Sequence, residues 1–141
     1  YLGDVGNSVT GDKKAQKFED DYLEDLIVEL KKVGFKAIAY MPTRNTKEQL
    51  IRLQGLCKKY NMFEISGEDI NSPRQQFCCK ALAEKEFSHL IDSTWALIGH
   101  EYIVNEKGIE FGMFSQKEES ETPNLNERIK KFSLIGKQTI K

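Results

Sequence analysis

Hydrophobic residues recur every three or four positions between residues 18 and 33, and this spacing predicts an amphipathic helix. Acidic residues fill the opposite face, and Gly34 is placed to end the helix. The apolar run at residues 36–41, followed by Pro42, predicts a buried parallel strand. The apolar stripe consists of Phe18, Tyr22, Leu26, Leu30 and Val33.

A second helix and a second strand follow this first strand. Thr46 and Gln49 have the spacing of a capping box, and Asn61 is placed to close the helix. Residues 62–66 then read as a strand. A strand, a helix and a strand within about thirty residues indicate a right-handed βαβ unit with parallel strands. The fold class that we predict is therefore α/β.

The remaining chain is predicted to be helical and then polar. Ser72 followed by Pro73 is typical of a helix start and predicts a short helix to about Leu82. A further helix is expected over residues 87–98, with Gly99 as its stop. Its expected inner face is Phe87, Leu90, Ile91, Thr94, Leu97 and Ile98. We predict an α/β domain at residues 1–108 and, at 109–141, a polar flexible linker with a marginal helical tail.

Candidate chemistry collects in the loops after the two strands, because the carboxyl ends of parallel strands open on one edge. Asp69 is interpreted as a metal ligand, assisted by Glu68 or Asn71, since carboxylate oxygen binds divalent cations. The alternative is a loop that caps the next helix. The residues expected at this edge are Thr43, Arg44, Asn45, Glu68, Asp69, Asn71 and Arg74.

Two arginines, a glycine-rich segment and the two histidines are further candidates for a functional role. Arg44 and Arg74 would hold phosphate through paired hydrogen bonds, or else form surface ion pairs. The glycine-rich segment at residues 3–14 would cradle an anion or be a plain loop, and it matches neither phosphate-binding glycine motif. His89 is expected on a helix surface, and His100 near a helix carboxyl end.

The charge balance, the apolar runs and the cysteines of the chain indicate which kinds of binding partner and which cellular location to expect. With 21 basic and 22 acidic residues the net charge is -1, so nucleic-acid binding is not expected. No apolar run long enough for a membrane span is visible, and no membrane partner is expected. Cys57, Cys78 and Cys79 lack metal or redox spacing, which favours unpaired thiols and a cytoplasmic location.

Two segments carry a resemblance to a known family. The loop Gly67-Glu68-Asp69-Ile70-Asn71 and the start Tyr1-Leu2-Gly3-Asp4, together with the βαβ unit, resemble the carboxyl-terminal portion of PHP-domain proteins, the polymerase and histidinol phosphatase metal-dependent phosphoesterases. The likeness covers roughly residues 1–100. Asn71 stands where the family motif has a histidine, and no histidine accompanies Asp4.

This resemblance implies a partial, distorted (β/α) barrel of PHP type followed by C-terminal helices. It implies divalent metal ions (zinc, manganese or iron) with Asp69 as a ligand and Asp4, Asn71 and Glu68 as further ligands. The expected reaction is hydrolysis of a phosphorylated small molecule by metal-bound hydroxide, with Arg44 or Arg74 stabilising the phosphoryl charge.

The resemblance also implies that the missing N-terminal part of the same protein completes the barrel, and that this chain is inactive by itself. Because two or three parallel strands rarely form a stable sheet, we expect the chain alone to be partly unfolded or oligomeric. The alternative is a non-catalytic, degenerate α/β module that binds a phosphorylated ligand or a protein partner. The two missing histidines favour that alternative.

Overall fold

The computed structural model describes residues 21–43, 45–68, 70, 72–74 and 77–139. Over these residues the chain is mixed α/β and mostly helical, with a small parallel sheet. It divides into two compact units, Tyr1–Phe87 and Ser88–Lys141. The domain boundary that the sequence places after residue 108 stays a prediction.

The described part of the unit Tyr1–Phe87 contains helix α1 (Leu23–Val33), strand β1 (Ala37–Tyr40), helix α2 (Lys47–Tyr60) and strand β2 (Phe63–Ser66). Strands β1 and β2 are parallel, in a register that pairs Ala37 with Phe63 and Tyr40 with Ser66. The predicted α/β class and βαβ unit are thereby confirmed. A barrel of PHP type is a finer prediction, which these two strands do not show.

Local chemistry explains the ends of both helices. Gly34 follows α1 with a left-handed φ of 104°, a conformation that costs glycine little. At the start of α2, the Thr46 hydroxyl accepts from the Gln49 amide at 3.4 Å, and the Gln49 side chain accepts from the Thr46 amide at 3.0 Å. Asn61 ends α2 with a φ of 52°. The predicted capping box and both helix ends are confirmed.

The predicted helix from Ser72 to Leu82 is wrong in the part that the structure describes. Residues 72–74 form a turn in which the Arg74 amide donates to the Ser72 hydroxyl at 3.3 Å, and only Lys80–Ala83 is helical, as a 3-10 turn. Phe77, which lies within that predicted helix, is 92% exposed. With no buried apolar stripe, the start signal has no packing to sustain a helix.

The described residues of the unit Ser88–Lys141 form helices and turns, with no strand among them. The unit contains helix α3 (His89–Lys107), a 3-10 turn (Ile109–Phe111), helix α4 (Gln116–Glu121) and helix α5 (Leu125–Thr139). The expected flexible linker therefore holds α4, whose first turn is capped where the Ser115 hydroxyl accepts from the Glu118 amide at 3.1 Å. The expected marginal tail is a helix of 15 residues that packs against α3.

Gly99 does not stop α3, which corrects a second prediction. A β-carbon at Gly99 would lie 2.1 Å from the carbonyl oxygen of Phe132, and one at Gly136 would lie 2.1 Å from that of Trp95. The two glycines therefore let the backbones of α3 and α5 approach closely. The buried face of α3 is Leu90, Ser93, Ala96 and Gly99, so the expected inward positions Ile91 and Thr94 are exposed instead.

None of the helices in the described part of the chain has the length and apolar character that a membrane crossing requires.

Candidate functional site

The loops that follow β1 and β2 meet at one edge of the sheet. The Gly67 amide donates to the carbonyl of Tyr40 at 3.0 Å, which extends the strand pairing by one residue. Beyond it, the Thr43 hydroxyl donates to Oε2 of Glu68 at 2.5 Å, joining loops that are 25 positions apart in sequence. These contacts bring together the two predicted loops at residues that the structure describes.

Glu68 is the central group of this edge. Its Oε1 atom is buried and has no hydrogen-bond partner among the described residues, while Oε2 is held by Thr43. A buried carboxylate oxygen without a partner costs free energy, because it has lost its hydration and gained nothing in exchange. Such an oxygen is chemically suited to a cation.

Cys79 lies beside the Glu68 carboxylate. Burial first, then a side-chain hydrogen bond with Glu68 and the charge of its carboxylate, raise the pKa of the Cys79 thiol to about 11. The thiol is therefore protonated near neutral pH. The sequence predicts that Cys79 is an unpaired thiol, and nothing in its spacing predicts a position at this edge. Eleven residues separate it from Glu68, and no spacing rule connects the two.

The remaining predicted site residues are distributed as follows. Asp4, Arg44, Asp69 and Asn71 lie outside the described residues. Arg74 is described: it is exposed and sits in the turn after β2. Among the residues described, no three His, Cys, Asp or Glu side chains are grouped so as to hold a metal ion. The predicted roles of all these residues stay predictions.

Asn45 fixes the backbone of the first loop. Its side-chain amide donates to the carbonyl of Met41 at 2.9 Å. The loop that presents Thr43 is therefore tied back to the end of β1. Asn45 therefore lies at the edge where the sequence predicted it, and its hydrogen bond to Met41 holds the loop in position.

A second set of polar side chains, Tyr40, Gln54 and Glu64, forms a hydrogen-bonded network between the sheet and α2. The Tyr40 hydroxyl donates to Oε2 of Glu64 at 2.7 Å and accepts from the Gln54 side chain at 3.5 Å. Burial, reinforced by Glu64, raises the pKa of Tyr40 and raises that of Cys57 to about 12. Both groups are thus held protonated. The only sequence signal for this network is the acid at position 64 within an apolar strand.

His100 is engaged inside the helical unit. Its Nδ1 accepts a hydrogen bond from the Met113 amide at 3.0 Å, and its ring packs edge-on against Phe114 and Phe132. The acceptor nitrogen must be unprotonated in this arrangement. His100 lies within α3 rather than after it, because the helix continues through Gly99. Its visible role is to hold the turn that follows α3.

Comparisons of the chain with protein-family models, with curated proteins and with solved structures gave no match.

Proposed function

We propose that this chain is the carboxyl-terminal part of a metal-dependent phosphoesterase of PHP type, with its two parallel strands belonging to a distorted (β/α) barrel. The observation that carries the proposal is the junction of the two post-strand loops, where Thr43 holds one oxygen of Glu68 and the other oxygen is buried without a partner in the described part of the chain. The substrate class is a phosphorylated small molecule.

Among the described residues at this edge, Glu68 is the one whose chemistry suits a divalent cation. Glu68 offers an oxygen that needs a positive partner, and the hydrogen bond from Thr43 orients its carboxylate. Asp69, Asn71 and Asp4 are the further ligands in this proposal. When bound, the metal would supply an activated water and would polarise the phosphate ester.

Arg74 and Arg44 would bind the substrate. A guanidinium donates paired hydrogen bonds to phosphate oxygens, and the charge that it offers stabilises the negative charge of the transition state. Arg74 is exposed in the turn that follows β2, and its guanidinium forms no ion pair with any described residue.

The test is metal analysis and phosphatase activity of the intact protein that carries this chain. We expect bound zinc, manganese or iron, and turnover of p-nitrophenyl phosphate that a chelator abolishes. Asp69→Ala and Glu68→Gln should each reduce the activity by about tenfold or more. Glu29→Gln is the matched control, since Glu29 is an exposed acid that pairs with Lys32 on α1. Retained metal and activity in Asp69→Ala would rule the proposal out.

A second candidate is a non-catalytic α/β module that binds a phosphorylated ligand or a protein partner. The observation that favours it is the placement of histidine: both His89 and His100 lie outside residues 1–87, and Nδ1 of His100 is already occupied by the Met113 amide. In that case a phosphate monoester binds, Arg74→Gln weakens the binding, and no hydrolysis occurs. Chelator-sensitive turnover would exclude this second candidate.

A further inference from the structure

The helical unit Ser88–Lys141 contains a pocket of about 310 Å³ between α3, α4 and α5. This volume is at the lower end of the range for small-ligand sites. Its apolar wall consists of Ile103, Phe111, Phe132 and Ile135. An apolar group of modest size is therefore favoured inside it, because its burial would remove apolar surface from water.

One charged pair in the wall is already complete. Glu118 is only 6% exposed, and the Lys131 ammonium lies 2.7 Å from each of its two carboxylate oxygens. A buried carboxylate that is matched in this way has little left to offer a ligand. Recognition must come from other groups of the pocket.

Four exposed charges line the same pocket and remain unmatched. The side chains of Lys107, Lys117, Glu110 and Glu121 make no ion pair and no hydrogen bond with the described residues, although opposite charges are present around one opening. Lys117 lies 4.2 Å above the ring of Phe111 instead of pairing with Glu121, and a lysine that precedes a glutamate by four positions is the weaker helical orientation. The pocket thus offers two unpaired cations and two unpaired anions.

From this juxtaposition we propose that the pocket binds a small zwitterion with an apolar body, namely a free aromatic or branched-chain amino acid. A purely anionic ligand would be attracted by two lysines and repelled by two glutamates, and the reverse holds for a cationic ligand. A ligand that carries both charges pairs with both sets at once. Its side chain would lie against Ile103, Phe111 and Ile135, which line the pocket and are partly exposed.

The probe is L-tryptophan, titrated into the full chain and followed by the backbone amide resonances of residues 88–139. We expect shifts confined to the residues around the pocket, with a Kd on the order of 0.1–1 mM for a ligand of this size. Absence of such shifts would overturn the proposal.

Three analogues separate the charges from the apolar body. N-acetyl-tryptophan lacks the ammonium, tryptophan amide lacks the carboxylate, and indole lacks both. Each single loss should weaken binding by about fivefold or more, since each removes one exposed charge contact. Indole binding as tight as tryptophan binding would show an apolar pocket only, and would contradict the zwitterion.

Double variants of the pocket show which residues contact the carboxylate of the ligand and which contact its ammonium group. The double variant Lys107→Gln and Lys117→Gln should weaken tryptophan but leave tryptophan amide unchanged, whereas Glu110→Gln with Glu121→Gln should weaken tryptophan but leave N-acetyl-tryptophan unchanged. Lys130→Gln with Glu127→Gln is the control, because both residues are exposed on α5 and do not line the pocket. An equal loss in the control variant would refute the assignment.

Discussion

At the scale of single residues, the structure distinguishes buried charges that are matched from those that are not. Glu118 and Lys131 form a complete pair in the helical unit, while Oε1 of Glu68 is buried with no partner among the described residues. The first arrangement is stabilising as it stands. The second is costly unless a cation completes it, which is why the proposal places a metal there.

Replacing Lys131 by methionine should destabilise the chain, because Glu118 would stay buried without its counterion. Since the Lys131 side chain is itself 45% exposed, we expect a loss of about 1–3 kcal/mol in the free energy of unfolding rather than the full cost of a deeply buried pair. Urea unfolding measures it.

Lys137→Met is the matched control for this prediction. Its partner, Asp92, has a side chain that is 55% exposed, so the loss should be at most about 1 kcal/mol. Equal losses in the two variants would show that the burial of Glu118 does not govern the cost.

His100→Phe tests the hydrogen bond to Met113. The phenyl ring is similar in shape to the imidazole but has no hydrogen-bond acceptor. The Met113 amide would therefore lose its hydrogen-bond partner. We expect a loss of about 1–3 kcal/mol in unfolding free energy. Tyr102→Phe, an exposed change on the same helix, should be near neutral. If both variants have the same stability, His100 does not hold this turn.

At the scale of elements, two glycines that both lie inside helices have opposite roles. Gly99 is in close contact with the backbone of α5, whereas a β-carbon at Gly55 on α2 would meet nothing within 4 Å. The first glycine is required by packing. The second only weakens its helix, because glycine loses more backbone entropy than alanine.

Gly99→Ala should therefore lower the free energy of unfolding by about 2–3 kcal/mol through overpacking between α3 and α5. Gly55→Ala should raise it by about 0.5–1 kcal/mol. Chemical denaturation of both variants gives the comparison. Opposite signs are expected, and a stabilising Gly99→Ala would contradict the close approach of the two helices.

The same comparison shows what a sequence can and cannot reveal about elements. The capping box of Thr46 and Gln49 and the stop at Gly34 depend on neighbours within a few residues, so local patterns predicted them correctly. Gly99 looks like a stop signal, and only the partner helix shows that it is a packing position. Ser72 and Pro73 look like a helix start, but Phe77 finds no core to enter.

In the candidate site too, some contacts could be predicted from the sequence and others could not. Parallel strands joined by a helix dictate that their following loops meet, and the Thr43–Glu68 contact was foreseeable for that reason. The proximity of Cys79 to Glu68, and the pocket in the helical unit, depend on the path of the chain through irregular turns. No pattern of residues predicts such a path.

At the scale of the whole molecule, stability should depend on pH at both extremes. In the alkaline range the relevant group is Cys57, whose pKa is raised from 9.0 to about 12 by burial and Glu64, with Tyr40 raised in the same direction. The unfolded chain loses these protons first as the pH rises. Stability should accordingly fall between about pH 9 and pH 12.

Cys57→Ala tests the predicted fall in stability at alkaline pH. The variant should be less stable near neutral pH because a buried side chain is shortened, yet its unfolding free energy should decline less steeply above pH 9. Urea unfolding at several pH values measures the slope. An unchanged slope would show that Cys57 does not titrate as its burial predicts.

In the acid range, hydrogen bonds from lysines lower the pKa of three carboxyls: Lys59 lowers Glu24, Lys47 lowers Glu86 and Lys137 lowers Asp92. Groups with lowered pKa values stabilise the folded chain above their ordinary values of 4.5 and 3.8, and that stability is lost as the pH falls through the folded-state values. High salt should reduce this dependence, because the pairs are largely exposed.

Thermal unfolding of the chain with chelator, and with saturating zinc or manganese, tests whether the edge formed by Thr43 and Glu68 holds a divalent cation. A ligand at about 100 times its Kd adds about 2.7 kcal/mol of stability, so the Tm of the wild-type chain and of Glu29→Gln should rise by several degrees. Glu68→Gln should show no rise. An equal rise in Glu68→Gln, or none in the wild-type chain, would contradict the account.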